Sequence, residues 1–312
     1  MEPALGPVLG AVFPVFGLVA CGVLAGRFRL VHQSSSAALN QFVYAFALPA
    51  MLFIAVYHGS LDEILGSGTF MAAVIGATVA TALAGYAISR YANRAGRAES
   101  TLRALNASFA NTGYLGIPLV TVAYGERAAL PAALATVATN IVSFAVAIAC
   151  LEVFVNPRPG AVRRALGGVA KSPLIWPIAL AAGLVVCGVR IPGSVERFAE
   201  LLAAAAGPCA LFAIGLFVSQ LSIREGVAAA WPSTALKLVA HPLLMAALAF
   251  YLVPIDPFWG KVGVVCASLP LGATAFVLAQ RYRMLEAETS TGAVLSTSVS
   301  VVTVSLVMLL LP

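Results

Sequence analysis

Two ionisable side chains stand deep inside an apolar stretch of this sequence, Lys237 and His241. They are four residues apart and so share one face of a helix, and Pro242 follows directly. An ammonium so placed supplies positive potential for an anion, and an imidazole beside it can hydrogen-bond or titrate. The same pair fits a plainer role, with Lys237 reaching back to an interface and His241 capping a carbonyl. Asn111 and Asn140 are the best neutral binders, because an Asn amide donates to a carboxylate and accepts from a cation. Thr112, Tyr114, Thr139 and Ser268 can complete a polar pocket around them. Asn and Thr also bind helices to one another, a reading that stays open for Asn140. The run Ser296-Thr297-Ser298 reads as small residues for close packing.

Other chemistries lack their residues. The twelve acidic side chains fall in loops or within a turn or two of an apolar segment's end, Glu152 being the nearest to an interior position. The sequence therefore shows no obvious seat for coupling to sodium or protons. The five cysteines, Cys21, Cys150, Cys187, Cys209 and Cys266, all lie in apolar stretches without the spacing of a metal site. No GxSxG elbow, HExxH or acidic pair supports an intramembrane hydrolase. The expectation is no enzyme, no cofactor and no metal. A channel needs a recurring polar stripe, and none recurs.

These residues need elements to hold them, and the composition says what kind. With 61% hydrophobic and 10% charged residues and a mean hydropathy of +0.98, the chain is far more apolar than a soluble domain. Lipid is the solvent that accepts such a surface. Segments long enough to cross it lie at about 5–26, 37–57, 68–90, 104–123, 129–151, 172–189, 198–221, 228–253, 259–280 and 290–311, ten in all. The start of the chain lacks the basic region of a cleavable signal. The net charge of +6 forms no stripe interleaved with aromatics, so nucleic acid is not an expected partner. Of the eighteen Lys and Arg, thirteen fall in one set of alternate loops and four in the other. The first set is therefore cytoplasmic, which puts both termini outside a bacterial-type inner membrane.

The sequence also echoes itself. Gly17–Val23 in span 1 matches Gly183–Val189 in span 6 at six of seven positions, and Pro49–Phe53 in span 2 resembles Pro208–Phe212 in span 7. Two halves of five spans must enter the membrane in opposite senses, because five is odd. The expected fold is thus an all-α integral membrane protein of two inverted five-helix repeats, 1–155 and 172–312, joined by a cytoplasmic linker at 156–171. Carriers of this design place their sites at interrupted helices in matching positions of the two halves. Span 4 carries Gly113, Gly116 and Pro118, and span 9 carries Pro270 and Gly272, so both should break.

The run Ala110-Asn111-Thr112-Gly113-Tyr114-Leu115-Gly116-Ile117-Pro118-Leu119 resembles the signature of the auxin efflux carrier family, and the resemblance extends over essentially the whole chain. Without the long cytoplasmic loop of the plant exporters, the chain is most similar to the bacterial branch, whose members are usually assigned to malonate or related carboxylates. The resemblance implies that spans 4 and 9 cross at their prolines, Pro118 and Pro270, with the substrate site alongside. It further implies a mobile bundle of spans 3–5 and 8–10, and a scaffold of spans 1, 2, 6 and 7 available for homodimer formation.

The expected activity is transport of a small organic anion by alternating access. The negative interior drives an anion outward at about 2.3 kcal/mol per charge per 100 mV, which favours efflux or uniport. The alternative is a proton- or sodium-coupled carboxylate importer, related in architecture to the bile-acid–sodium symporters.

Overall fold

The computed structural model describes residues 2–31, 33–155, 167, 173–221 and 226–311. The expected linker at 156–171 lies outside the described residues except for Gly167, as do the cytoplasmic-set residues Arg158, Arg163, Arg164, Lys171 and Arg224. Everything described is helix or connection, apart from one isolated β-bridge. Among the described residues seven helices are long and apolar enough to cross a membrane: α1 (Glu2–Arg27), α2 (Ser35–Tyr57), α3 (Gly68–Ala92), α6 (Glu126–Val155), α8 (Gly193–Gln220), α9 (Val227–Leu252) and α12 (Glu286–Leu310). Between them come the shorter helices α4 (Arg97–Ser108), α5 (Thr112–Tyr124), α7 (Ile175–Val186), α10 (Pro257–Ser268) and α11 (Thr274–Tyr282).

The short helices are informative because two pairs of them cover segments expected to be single spans. Span 4 is divided into α4 and α5, and span 9 into α10 and α11. One succession of elements occurs twice at a spacing of 160 residues. The π-turn Ile88–Ala92 ends α3, and the twelve-residue α4 begins at Arg97. The π-turn Leu248–Leu252 ends α9, and the twelve-residue α10 begins at Pro257. Both short helices start at a defined cap. The Glu99 carboxylate accepts from the Gly96 N–H at 3.2 Å, and the Asp256 carboxylate accepts from the Trp259 N–H at 3.0 Å.

The chain packs as two compact units that do not coincide with its two sequence halves. One comprises Met1–Gly68, Gly113–Val137 and Lys171–Gln220; the other comprises Thr69–Thr112, Ala138–Ala170 and Leu221–Pro312. Spans 4 and 5 were expected to lie wholly in one bundle with spans 3 and 8–10. Instead, residues 113–137 belong with spans 1, 2, 6 and 7. The reason is packing: α5 lies on α1, and Gly207 of α8 stands where a Cβ would touch Pro118 at 3.5 Å.

Within the first unit α1 and α8 meet backbone to backbone. A Cβ on Gly22 would strike the Phe212 carbonyl, and one on Gly215 the Val19 carbonyl, so the contact depends on having no side chain there. The sequence echo between Gly17–Val23 and Gly183–Val189 falls at unlike places. The first lies inside α1, whereas the second ends α7, with Gly188 at φ +65°. Both units are apolar outside, with Phe13 and Trp176 exposed on the first and Leu83, Tyr251 and Val302 on the second. The interior of the second is polar, holding Asn106, Ser108, Thr289, Ser290, Thr291, Ser296 and Ser300. Apolar outside and polar inside is the arrangement of a protein whose solvent is lipid.

Candidate functional site

In the second unit the two interrupted helices meet at their breaks. α10 stops because Leu269 precedes Pro270, which pushes Leu269 to extended backbone, ψ 156°. α4 stops at Ser108 with no proline to force it, and Phe109 is extended at ψ 102°. The two extended segments then pair. The Asn111 N–H donates to the Pro270 carbonyl at 2.9 Å, the Gly272 N–H donates to the Phe109 carbonyl at 3.1 Å, and Ala110 faces Leu271 in an antiparallel bridge. Backbone freed from two helices in an apolar medium must find partners, and here each break supplies them to the other. Ser296 of α12 accepts from the Leu271 N–H at 3.1 Å while donating to the Ala293 carbonyl at 3.2 Å. Gly272 is required by closeness, because a Cβ there would enter the Phe109 ring.

The interruption in span 4 thus lies at 109–111, not beside Pro118. Gly113 and Gly116 belong to the π-turn Thr112–Gly116 that starts α5. Pro118 sits in the first turn of the α-helical part of α5, Ile117–Tyr124, directly after that π-turn. The crossing involves Pro270 as expected, with Phe109–Asn111 as its counterpart in place of Pro118.

Around the crossing, Asn111 is 7% exposed and its side-chain amide has no hydrogen-bond partner among the described residues. The Thr112 and Ser143 hydroxyls are buried and likewise unpartnered among the described residues. Ser143 belongs to the π-turn Asn140–Ala145 of α6, which the tilted ring contact of Phe144 with Phe109, centroids 5.3 Å apart, fastens to the break. Asn140 opens that turn, half-buried, and Thr139 before it is buried. Tyr114 and Gly113 are half-buried and belong to the first unit.

Lys237, His241 and Ser268 form a second group in the same unit, at the C-terminal end of α10. The Lys237 ammonium donates to the Ala267 carbonyl at 2.7 Å and lies 3.1 Å from His241 Nδ1. The Ser268 hydroxyl donates to the Val265 carbonyl at 2.7 Å. Lys237 is fully buried, so it does not reach out to an interface.

Several participants gave no signal in the sequence. Ser296 was read as packing, yet it holds the Leu271 amide. Asn106 donates to Thr289 at 2.9 Å and keeps a buried carbonyl oxygen without a partner among the described residues. Glu288, in the first turn of α12, is 6% exposed and holds Arg103 through two contacts of 2.8 Å. Its sequence position near a span end gave no hint of its burial.

The first unit contains a cavity of about 750 Å³ between α1, α2, α5 and α8, walled by Val15, Leu18, Ile54, Ile117 and Pro118, with His58, Glu63 and Glu200 among its polar residues. His58, Glu196 and Glu200 bring their ligand atoms within 4.8 Å of one another. They are partly exposed, His58 is bonded to Glu196 at 2.9 Å, and Glu200 is paired with Arg197 at 3.0 Å, which reads as a surface ion-pair network.

Apolar helices around a polar interior, with two broken helices paired inside it, define a membrane transport protein. The sequence profile of the family described as membrane transport protein matches residues 7–161 and 163–308. The chain belongs to that family, which is the family of the auxin efflux carriers. A relative from Rhizobium meliloti (strain 1021), provisionally named a malonate transporter, is 31% identical over 306 residues, covering 96% of this chain and 95% of the relative. The uncharacterized transporter YfdV of Escherichia coli (strain K12) is 25% identical over 290 residues, 88% of each chain. Auxin efflux carrier component 8 of Arabidopsis thaliana is 32% identical over 109 residues, 34% of this chain and 29% of that protein.

Proposed function

We propose that this chain carries a small carboxylate, malonate or a close analogue, across a bacterial-type inner membrane by alternating access. The observation that carries the reading is the antiparallel crossing of two broken helices beside the amide of Asn111, which has no partner among the described residues. Fixed amide dipoles next to a buried donor can replace the water around a carboxylate. The name given to the Rhizobium relative supports malonate as the first substrate to test.

The seven long helices, the pairs α4–α5 and α10–α11, and α7 make ten crossings. The repetition of π-turn, cap and twelve-residue helix at a spacing of 160 residues supports two five-span repeats, which must then be inverted. The Lys and Arg distribution supports termini outside. With no coupling ion required, the membrane potential drives the anion outward, so efflux or uniport is the proposed direction.

Flux of labelled malonate and of a panel of mono- and dicarboxylates, measured in proteoliposomes at clamped potential, tests this. Flux that responds to potential without a sodium or proton gradient is the expected result, and strict dependence on either gradient contradicts it. One observation favours the alternative of a coupled importer: Glu288 is a buried carboxylate lining the same narrow void as Leu271 and Ser296. Its two contacts to Arg103 leave it poorly placed to exchange a cation, and the gradient experiment separates the two readings.

A further inference from the structure

The end of α10 is short of hydrogen-bond donors, as the end of any helix is. Its carbonyls are met one by one. Val265 accepts from the Ser268 hydroxyl at 2.7 Å, Cys266 from the Leu269 N–H at 3.4 Å, and Ala267 from the Lys237 ammonium at 2.7 Å. The third donor is an amine, standing where the negative end of the helix dipole favours a cation.

The surroundings of Lys237 show what kind of charge this is. The only hydroxyl proton of Thr78 goes to the Val74 carbonyl at 2.7 Å, so the Thr78 oxygen accepts from His241 Nε2 at 3.4 Å. That assigns the ring proton to Nε2 and leaves Nδ1 as a lone pair facing Lys237 at 3.1 Å. In that tautomer the imidazole is a neutral acceptor, and Lys237 is the group of the pair that would carry the charge. Glu288 lines the same void as Lys237 but is held by Arg103, so it is not the lysine's own counter-ion. The partners of the ammonium are a carbonyl at a half-helix end and a neutral nitrogen. Interrupted helices in carriers present such carbonyl ends to a coupling cation.

We infer that Lys237 is a tethered cation, filling the seat that a free monovalent cation would otherwise take at the broken end of α10, and that it thereby frees the protein from a coupling sodium ion. The inference rests on the carrier reading for its meaning, but its test needs no transported substrate.

The experiment is thermal unfolding of the purified protein, without carboxylate, in choline, sodium, potassium and methylammonium salts at matched ionic strength. Wild type should unfold at one temperature in all four. Lys237→Ala should unfold lower in choline, and sodium or methylammonium should restore about 5 °C. A lysine that merely fills space predicts a loss that no cation repairs. If Lys237→Ala does not fold in choline, Lys237→Ser, small and polar, is judged by the same criterion. The inference is overturned if neither variant responds to a small cation, if neither folds in any of the salts, or if sodium stabilises wild type equally. Failure of the wild type to move malonate would overturn the proposed function and leave this result intact.

Discussion

With its backbone N–H given to Pro270, Asn111 keeps a side-chain amide that meets no partner among the described residues. A hydrogen bond to a charged ligand contributes about 1.5–3 kcal/mol, so Asn111→Ala should weaken carboxylate binding by roughly ten- to a hundredfold while expression stays normal. Gly272 is constrained by shape, since any Cβ meets the Phe109 ring. Gly272→Ala should cost about 1–3 kcal/mol, read as a lower unfolding temperature, and Phe109→Leu in the same chain should recover part of it. Ser296→Ala strands the Leu271 N–H and should cost about 1–3 kcal/mol in the same assay. Residue types singled out Asn111, Thr112 and Gly272 in the sequence, as polar side chains, and a glycine close to a proline, inside apolar runs. Ser296 was not legible. A serine inside a helix usually bonds its own preceding turn, and nothing local says that a distant amide needs its oxygen.

At the level of elements, the breaks were foreseen but only one was placed. Pro270 ends α10 through its effect on Leu269, a local rule that sequence can apply. The break in α4 has no local cause. Ser108-Phe109-Ala110-Asn111 holds no proline or glycine, and the chain leaves the helix there because the other break offers it hydrogen bonds. Sequence reasoning therefore moved the break to the nearest proline, Pro118, which in fact lies inside α5, just after its π-turn. The π-turns were equally silent, and with them the 160-residue recurrence. The bridge itself can be tested. Ala110 and Leu271 form the non-hydrogen-bonded pair of the bridge, whose Cα atoms stand about 4.5 Å apart, within disulfide range. Ala110→Cys with Leu271→Cys, in a background lacking the native cysteines, should crosslink within one chain on mild oxidation. Absence of the crosslink in folded protein counts against the pairing.

For the whole molecule, composition alone settled the solvent, and the positions of Lys and Arg give the proposed orientation. A reporter that fluoresces only in the cytoplasm, fused after Pro312, should stay dark, and one fused in the linker at 156–171 should glow. The reverse pattern refutes the proposed orientation. How the chain divides into packed units was not legible, because residues 113–137 join spans 1, 2, 6 and 7 through contacts such as Gly207 on Pro118, which no periodicity records. The substrate site is the claim on which the rest depends, and equilibrium binding of labelled malonate to purified wild type and Asn111→Ala tests it most directly. Saturable binding to wild type that weakens at least tenfold in a folded Asn111→Ala variant is the predicted result. Equal binding by the two proteins, or none by wild type to any carboxylate of the panel, contradicts a carboxylate site at the crossing.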